Sequence, residues 1–97
     1  MKSIVEYIEE AKKKLPNMSY YKVMEHLGMH RQQWTKIQKG SGVSEKNAIR
    51  IAEFLKKEPL EILAVNRSLQ AENNQIRDYW IKIAKREEKK NKLRKNG

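Results

Sequence analysis

The stretch "MSYYKVMEHLGMHRQQWTKIQKG", Met18 to Gly40, decides how the chain is read. Ser19 is a side chain that caps helix starts, and Val23, Met24 and Leu27 recur behind it at helical spacing, with Tyr20 above them. The pattern predicts a helix from about Ser19 to Leu27. Gly28 follows, a residue type that tolerates the left-handed turn at a helix end. A second short helix is expected over about Arg31 to Gln38, stopped by "GSG" at Gly40 to Gly42. At about 100° per residue, Trp34 and Ile37 point within about 60° of each other and become the inward anchors. Arg31, Gln32, Thr35 and Lys36 lie opposite them, Gln33 and Gln38 on the flanks, and Lys39 extends the outward face past the helix end.

Those outward residue types have a shared chemistry. Arg and Lys suit guanine O6 and N7, Gln suits adenine N6 and N7, and the Thr methyl can touch the thymine methyl. A short helix fits the major groove, with its N-terminal residues nearest the bases. An acid on that face would repel phosphate, and every position from His26 to Ser44 is free of acid while Arg31, Lys36 and Lys39 sit among them.

Outward from this unit, the rest of the chain also reads as helix, and strand patterns are nearly absent. Before it, Ser3 and Glu6 form a capping-box pattern ahead of the apolar stripe Ile4, Val5, Ile8, Ala11 and Leu15. Lys12, Lys13 and Lys14 suit the negative end of that helix, and Pro16-Asn17 ends it. After it, Ser44 opens a helix to about Lys57 with Ala48, Ile49, Ile51, Ala52 and Leu55 as core positions and Phe54 beside them. Pro59 opens a fifth helix, where its missing N–H costs nothing, with Leu60, Ile62, Leu63 and Leu69 apolar. Asn73-Asn74 either breaks the chain briefly or caps a sixth helix, whose stripe is Ile76, Tyr79, Trp80, Ile83 and Ala84. Beyond Ala84 the stripe thins to Leu93, so "KREEKKNKLRKNG" is expected to be a solvated helical end that frays into a basic tail.

Composition bounds the function classes. Ninety-seven residues amount to one domain with a small core. The charge is +10, from 22 basic and 12 acidic residues, which raises local concentration near polyanions. It divides evenly: residues 1–58 carry 12 basic and 7 acidic groups, net +5, and residues 59–97 carry 10 and 5, again +5. Mean hydropathy is −0.94, and the longest apolar run, "ILAV" at Ile62 to Val65, is far below the roughly 20 residues that span a bilayer. The opening "MKSIVEYIEEAKKK" has acids inside its would-be apolar region, so no secretory leader is expected. Cysteine is absent, which removes thiolate metal sites and fits a reducing cytoplasm. His26 and His30 are four apart, but Gly28 interrupts their helix and no third ligand is near. No metal, cofactor, small-molecule ligand or catalytic constellation is expected.

The Met18–Gly40 stretch resembles the helix-turn-helix of the phage repressor and Cro type, the XRE family. The resemblance lies in Met18-Ser19 opening the first helix, the pair Val23-Met24, and Leu27-Gly28-Met29 as the turn. Trp34 and Ile37 fill the two core positions of the recognition helix, and Gly40 closes it. "SEKNAIRIAEFLKKEPLEIL" is similar to the family's fourth and fifth helices, so the match covers about Ser3 to Leu69. "AENNQIRDYWIKIAKR" looks like the extra helix of small prophage-encoded regulators. Three positions depart from the pattern: Tyr20 where glutamine is usual, Met24 where alanine is usual, and His30 where Ser or Thr caps the recognition helix.

The resemblance implies an all-α, compact five-helix, lambda-repressor-like domain over residues 1–70, with residues 71–97 an added amphipathic helix and basic tail. Carried over by position, base reading falls on Arg31, Gln32 and Lys36, with His30 and Thr35 as neighbours. Phosphate contact falls on Tyr20, Lys39, Ser41 and Lys46. The implied partner is a double-stranded DNA operator bound by a homodimer, since one short recognition helix contacts few base pairs. The stripe Ile76, Tyr79, Trp80 and Ile83 is the expected dimer interface, with the fifth helix as its rival. Within this class repression is favoured over an excision-directing or architectural role, because occupancy of a promoter suffices for it. A protein- or RNA-interaction module on the same fold is the alternative from another class. RNA readers usually display stacking aromatics, and the outward face here has none. The basic cluster Lys82, Lys85, Arg86, Lys89, Lys90, Lys92, Arg94 and Lys95 reads first as a solvated face and second as a phosphate-binding tail.

Overall fold

Four of the six helix starts are set by a side chain that takes up an orphan backbone N–H. In the computed structural model, which describes residues 1–96 and side chains as far as Arg94, Ser3 and Glu6 close a reciprocal capping box at 3.2 Å in both directions. This opens α1 (Ile4–Lys14). Ser19 Oγ accepts from Lys22 N–H at the head of α2 (Tyr20–His26), and Ser44 Oγ from Asn47 N–H at the head of α4 (Glu45–Phe54). Pro59 is the first residue of α5 (Pro59–Leu69), and Asn73 Oδ1 accepts from Ile76 N–H to open α6 (Asn74–Asn96). Between α2 and α4 lies α3, Gln33–Gln38. No strand occurs among the described residues, and the molecule measures 39 × 36 × 18 Å.

The core forms where the apolar stripes meet. Ile4, Tyr7, Ile8 and Ala11 of α1 pack with Val23 and Met24 of α2, Ile51 and Ala52 of α4, and Ile62 and Val65 of α5. Burying each large aliphatic among them contributes about 1.5–3 kcal/mol. Tyr7 lies in the α1 stripe beside Ile8, while the expected members Val5 and Leu15 are half-buried. Leu69, the last apolar residue of α5, is 49% exposed at the helix end.

Helix α5 is covered on two sides, by α1 and α4 on one and by α6 on the other. Polar residues are therefore buried on it, and each finds partners. The Glu61 carboxylate accepts from the Tyr7 hydroxyl and from Asn91 Nδ2. Asn66 spans Val43, accepting from its N–H and donating to its C=O, both at 2.7 Å. Ser68 returns its hydroxyl to the Val65 carbonyl.

The frayed tail expected beyond Ala84 is not what forms: α6 continues as helix through Asn96. It runs antiparallel to α5 on a seam of Trp80, Ala84, Glu87 and Asn91, spaced four, three and four residues apart. The lower half of that seam is polar, which is why apolar periodicity misses it. Asn91 carries the docking, accepting from Glu58 N–H at 3.1 Å and donating to Glu61 at 2.8 Å. Glu87 is 5% exposed and is paired with Arg86 and Lys90. Lys95, counted with the basic cluster, falls outside the described side chains. Among the described residues, no helix is long and apolar enough to cross a membrane.

Candidate nucleic-acid interface

The turn between α2 and α3 is built around Gly28. Its φ is +83°, and Met29 N–H closes back on the Met24 carbonyl at 2.9 Å. Arg50 of α4 donates to the Gly28 carbonyl at 3.0 Å, and a Cβ at position 28 would lie 2.3 Å from that guanidinium. The glycine thus serves both the backbone angle and the seating of the Arg50 guanidinium. Met24, at the crossing, is fully buried.

α3 begins two residues later than the spacing implied. The preceding turn is closed by tighter i to i+3 bonds, Gln33 N–H to the His30 carbonyl at 3.0 Å and Trp34 N–H to the Arg31 carbonyl at 3.3 Å. His30 closes this entry turn and does not cap α3 itself: its Nδ1 accepts from Gln32 N–H at 3.3 Å, and the N-cap Gln32 makes no side-chain capping bond. Arg31 and Gln32 therefore sit on the entry turn, and Thr35 and Lys36 on α3 proper.

The two anchors are inward, Trp34 at 6% exposed and Ile37 at 2%. His30, Arg31, Gln32, Thr35, Lys36 and Lys39 are all exposed, as are Ser41 and Lys46 on the following loop and helix. Tyr20 is the exception among the expected contacts. Its ring is half-buried, stacked parallel on Trp34 with centroids 4.5 Å apart, and the Lys12 ammonium stands 5.3 Å from it. A column Lys12–Tyr20–Trp34 thus ties α1, α2 and α3 together, and brings one cation of the α1 lysine run to the edge of this face.

Two residues that spacing did not single out shape the face. Tyr21, 40% exposed, lies beneath Arg31, whose guanidinium carbon is 5.4 Å from the ring centroid. Asn66 grips the backbone of Val43 and so fixes the loop carrying Ser41. Gly40, at φ +99°, lets that loop leave α3, with Ser41 N–H closing on the Lys36 carbonyl at 3.1 Å. Glu45, the acid that ends the acid-free window, is held by Arg67 through bonds of 2.7 and 3.1 Å. Its charge is compensated beside the loop.

Comparison with protein-family models, curated proteins and solved structures returns no match. The four residues expected at a dimer interface separate into two pairs. Ile76 and Tyr79 are 39% and 59% exposed, whereas Trp80 and Ile83 are half-buried against the protein's own core. Arg67 covers the Trp80 ring at 5.0 Å, and Tyr79 meets that ring edge-on at 5.3 Å.

Proposed function

We propose that this chain is a sequence-specific DNA-binding regulator with a lambda-repressor-like helix-turn-helix, acting as a repressor on a near-palindromic operator. The reading rests on one observation. With Trp34 and Ile37 turned inward, the exposed face of α3 and its entry turn is Arg31, Gln32, Thr35, Lys36 and Lys39, with no acid among them. These are donors and a methyl of the kinds that discriminate base edges in the major groove. Ser41 and Lys46 flank them, suited to phosphate on either side of the groove. The likeness of residues 3–69 to the repressor and Cro pattern supports the same reading, and α6 is the added element.

A single recognition helix of this length contacts few base pairs, so a homodimer on two half-sites about one helical turn apart is the expected assembly. Ile76 and Tyr79, exposed on α6, are the side chains free to meet a second copy. I76E/Y79E then lowers both the sedimenting mass and operator affinity, leaving helicity unchanged; an unaltered mass removes these two residues from the interface.

Selecting bound duplexes from a random DNA pool tests the reading directly. An inverted repeat is the expected product. Arg31→Ala should then cost about 1–3 kcal/mol and relax the preference at one base pair of each half-site. Recovery of no consensus, or a loss on Arg31→Ala that is uniform over all sequences, sinks base reading by this face.

A further inference from the structure

The basic cluster of α6 is not uniform once its partners are known. Arg86 and Lys90 are paired with Glu87 at 3.2 and 3.3 Å, Lys92 with Glu88 at 3.8 Å, and Arg94 with Glu58 at 3.5 Å. Each of these four cations therefore has a carboxylate beside it that offsets its charge. Lys82, Lys85 and Lys89 are left. All three are exposed, and among the described residues none has a carboxylate within 4.0 Å. Their spacing of three and four residues sets them in one line, across the helix from the seam of Trp80, Ala84, Glu87 and Asn91. At 1.5 Å per residue the line is about 10 Å long. Asp78, one turn before Lys82, marks its N-terminal limit, and the exposed Leu93 its other end.

We propose that this lysine line binds the phosphate backbone of a second DNA duplex segment, so that one molecule bridges two stretches of DNA. The inference rests on the DNA-binding reading above and adds a surface to it. A duplex presents one negative charge per about 1.7 Å of axis, so three unpaired ammonium groups over 10 Å meet phosphate without needing base contacts. The line and the α3 face belong to different layers of the fold. α6 packs on α5, α3 packs on α1 and α2, and no helix contacts both α3 and α6 except through that intervening layer. An anionic membrane is the poorer fit, because the apolar side of α6 is turned onto α5 and the lysine line has no apolar flank to insert.

Immobilised duplex is saturated with the full-length chain or with its K82Q/K85Q/K89Q variant, and capture of a second, labelled mixed-sequence duplex is followed across a salt series. Each phosphate contact contributes about 0.9 to the slope of log affinity against log salt, so the variant should lose about 2.7 from it. Duplex saturated with the variant should also capture far less labelled duplex than duplex saturated with wild type, while K82R/K85R/K89R retains both properties. Circular dichroism and the melting curve are expected to be unchanged, since the three side chains are solvent-facing. A slope within about 0.5 of wild type, or bridging that survives the glutamine variant, overturns the proposal. So does loss of binding to phosphatidylserine vesicles or to duplex RNA alone, with duplex DNA unaffected. R31A/K36A keeps this test apart from the recognition helix. It should abolish preference for the selected site and leave the lysine-dependent part of the slope. If preference survives R31A/K36A the base-reading assignment fails and the lysine line stands; if the slope survives K82Q/K85Q/K89Q the reverse holds.

Discussion

Gly42→Ala introduces one methyl group, and the structure says what it strikes: the new Cβ would lie 2.5 Å from Asn66 Oδ1. That oxygen is the acceptor for Val43 N–H at 2.7 Å, and the same amide donates to the Val43 carbonyl at 2.7 Å. Val43 is 4% exposed and Asn66 fully buried, so water does not readily replace either bond. Displacing the amide leaves buried backbone groups without partners, at about 1–3 kcal/mol each, so Asn66→Ala should cost about 3 kcal/mol. For a domain of this size that is on the order of 15 °C in Tm. Gly42→Ala should cost about 1–3 kcal/mol through the forced displacement. In the Asn66→Ala background the obstruction is gone, and Gly42→Ala should then cost less than about 0.5 kcal/mol. Urea denaturation of the four proteins, followed by circular dichroism, measures the cycle. Equal cost of Gly42→Ala in both backgrounds would refute the mechanism, whatever the size of either single effect. The loop held by this clasp carries Ser41 and leads to Lys46, so Gly42→Ala should also weaken DNA binding beyond what its stability loss explains.

Tyr21→Ala removes the ring beneath Arg31; a cation–π contact of about 0.5–1 kcal/mol implies a two- to five-fold loss of preference at the base pair that the proposed reading assigns to Arg31. Binding-site selection on the variant checks it, and an unchanged profile would show that the stacking does not orient the guanidinium. Lys56 holds φ +57° at the end of α4, a conformation that disfavours any side chain, so Lys56→Gly should stabilise the fold by about 1 kcal/mol in a denaturant titration. Burial, and then the hydrogen bond to Glu61, push the Tyr7 phenol well above its ordinary range. A raised folded-state value means stability that is full below the unfolded tyrosine pKa of about 10 and falls as pH rises above it. Tyr7→Phe should flatten that alkaline loss; a curve as steep as wild type would show that other groups drive it.

Five of the six helix starts were legible because each depends on one local residue: Ser3, Ser19, Ser44, Pro59 and Asn73 act within four positions of themselves. The inward turn of Trp34 and Ile37 was legible for the same kind of reason, since periodicity alone separates the two faces of a short helix. What was missed at the candidate site depends on partners distant in the chain. Nothing near Asn66 announces that it will clasp Val43, 23 residues away. Tyr21 is adjacent in sequence to the stripe residues yet turns outward, and its meaning appears only when the α2–α3 turn brings Arg31 over it. His30 could have been read: a ring nitrogen two residues before an N–H is a serviceable acceptor, though not one of the usual capping side chains.

The same distinction explains the tail. An amphipathic stripe identifies a buried face only when the burying contact is apolar, and α6 changes its chemistry midway. Trp80 and Ala84 dock by exclusion of water, whereas Glu87 and Asn91 continue the same face into a polar contact with α5. Glu61 makes this workable, because its buried carboxylate already requires donors and receives them from the Tyr7 hydroxyl and the Asn91 amide. Apolar side chains there would have left that carboxylate short of a partner, at a cost larger than the apolar burial returns. A polar residue at a seam position is therefore informative when the neighbouring helix carries an acid at the matching height. By that criterion Glu61, in the first turn of α5 among Leu60, Ile62 and Leu63, is the residue from which the docking of the polar half of the C-terminal helix follows.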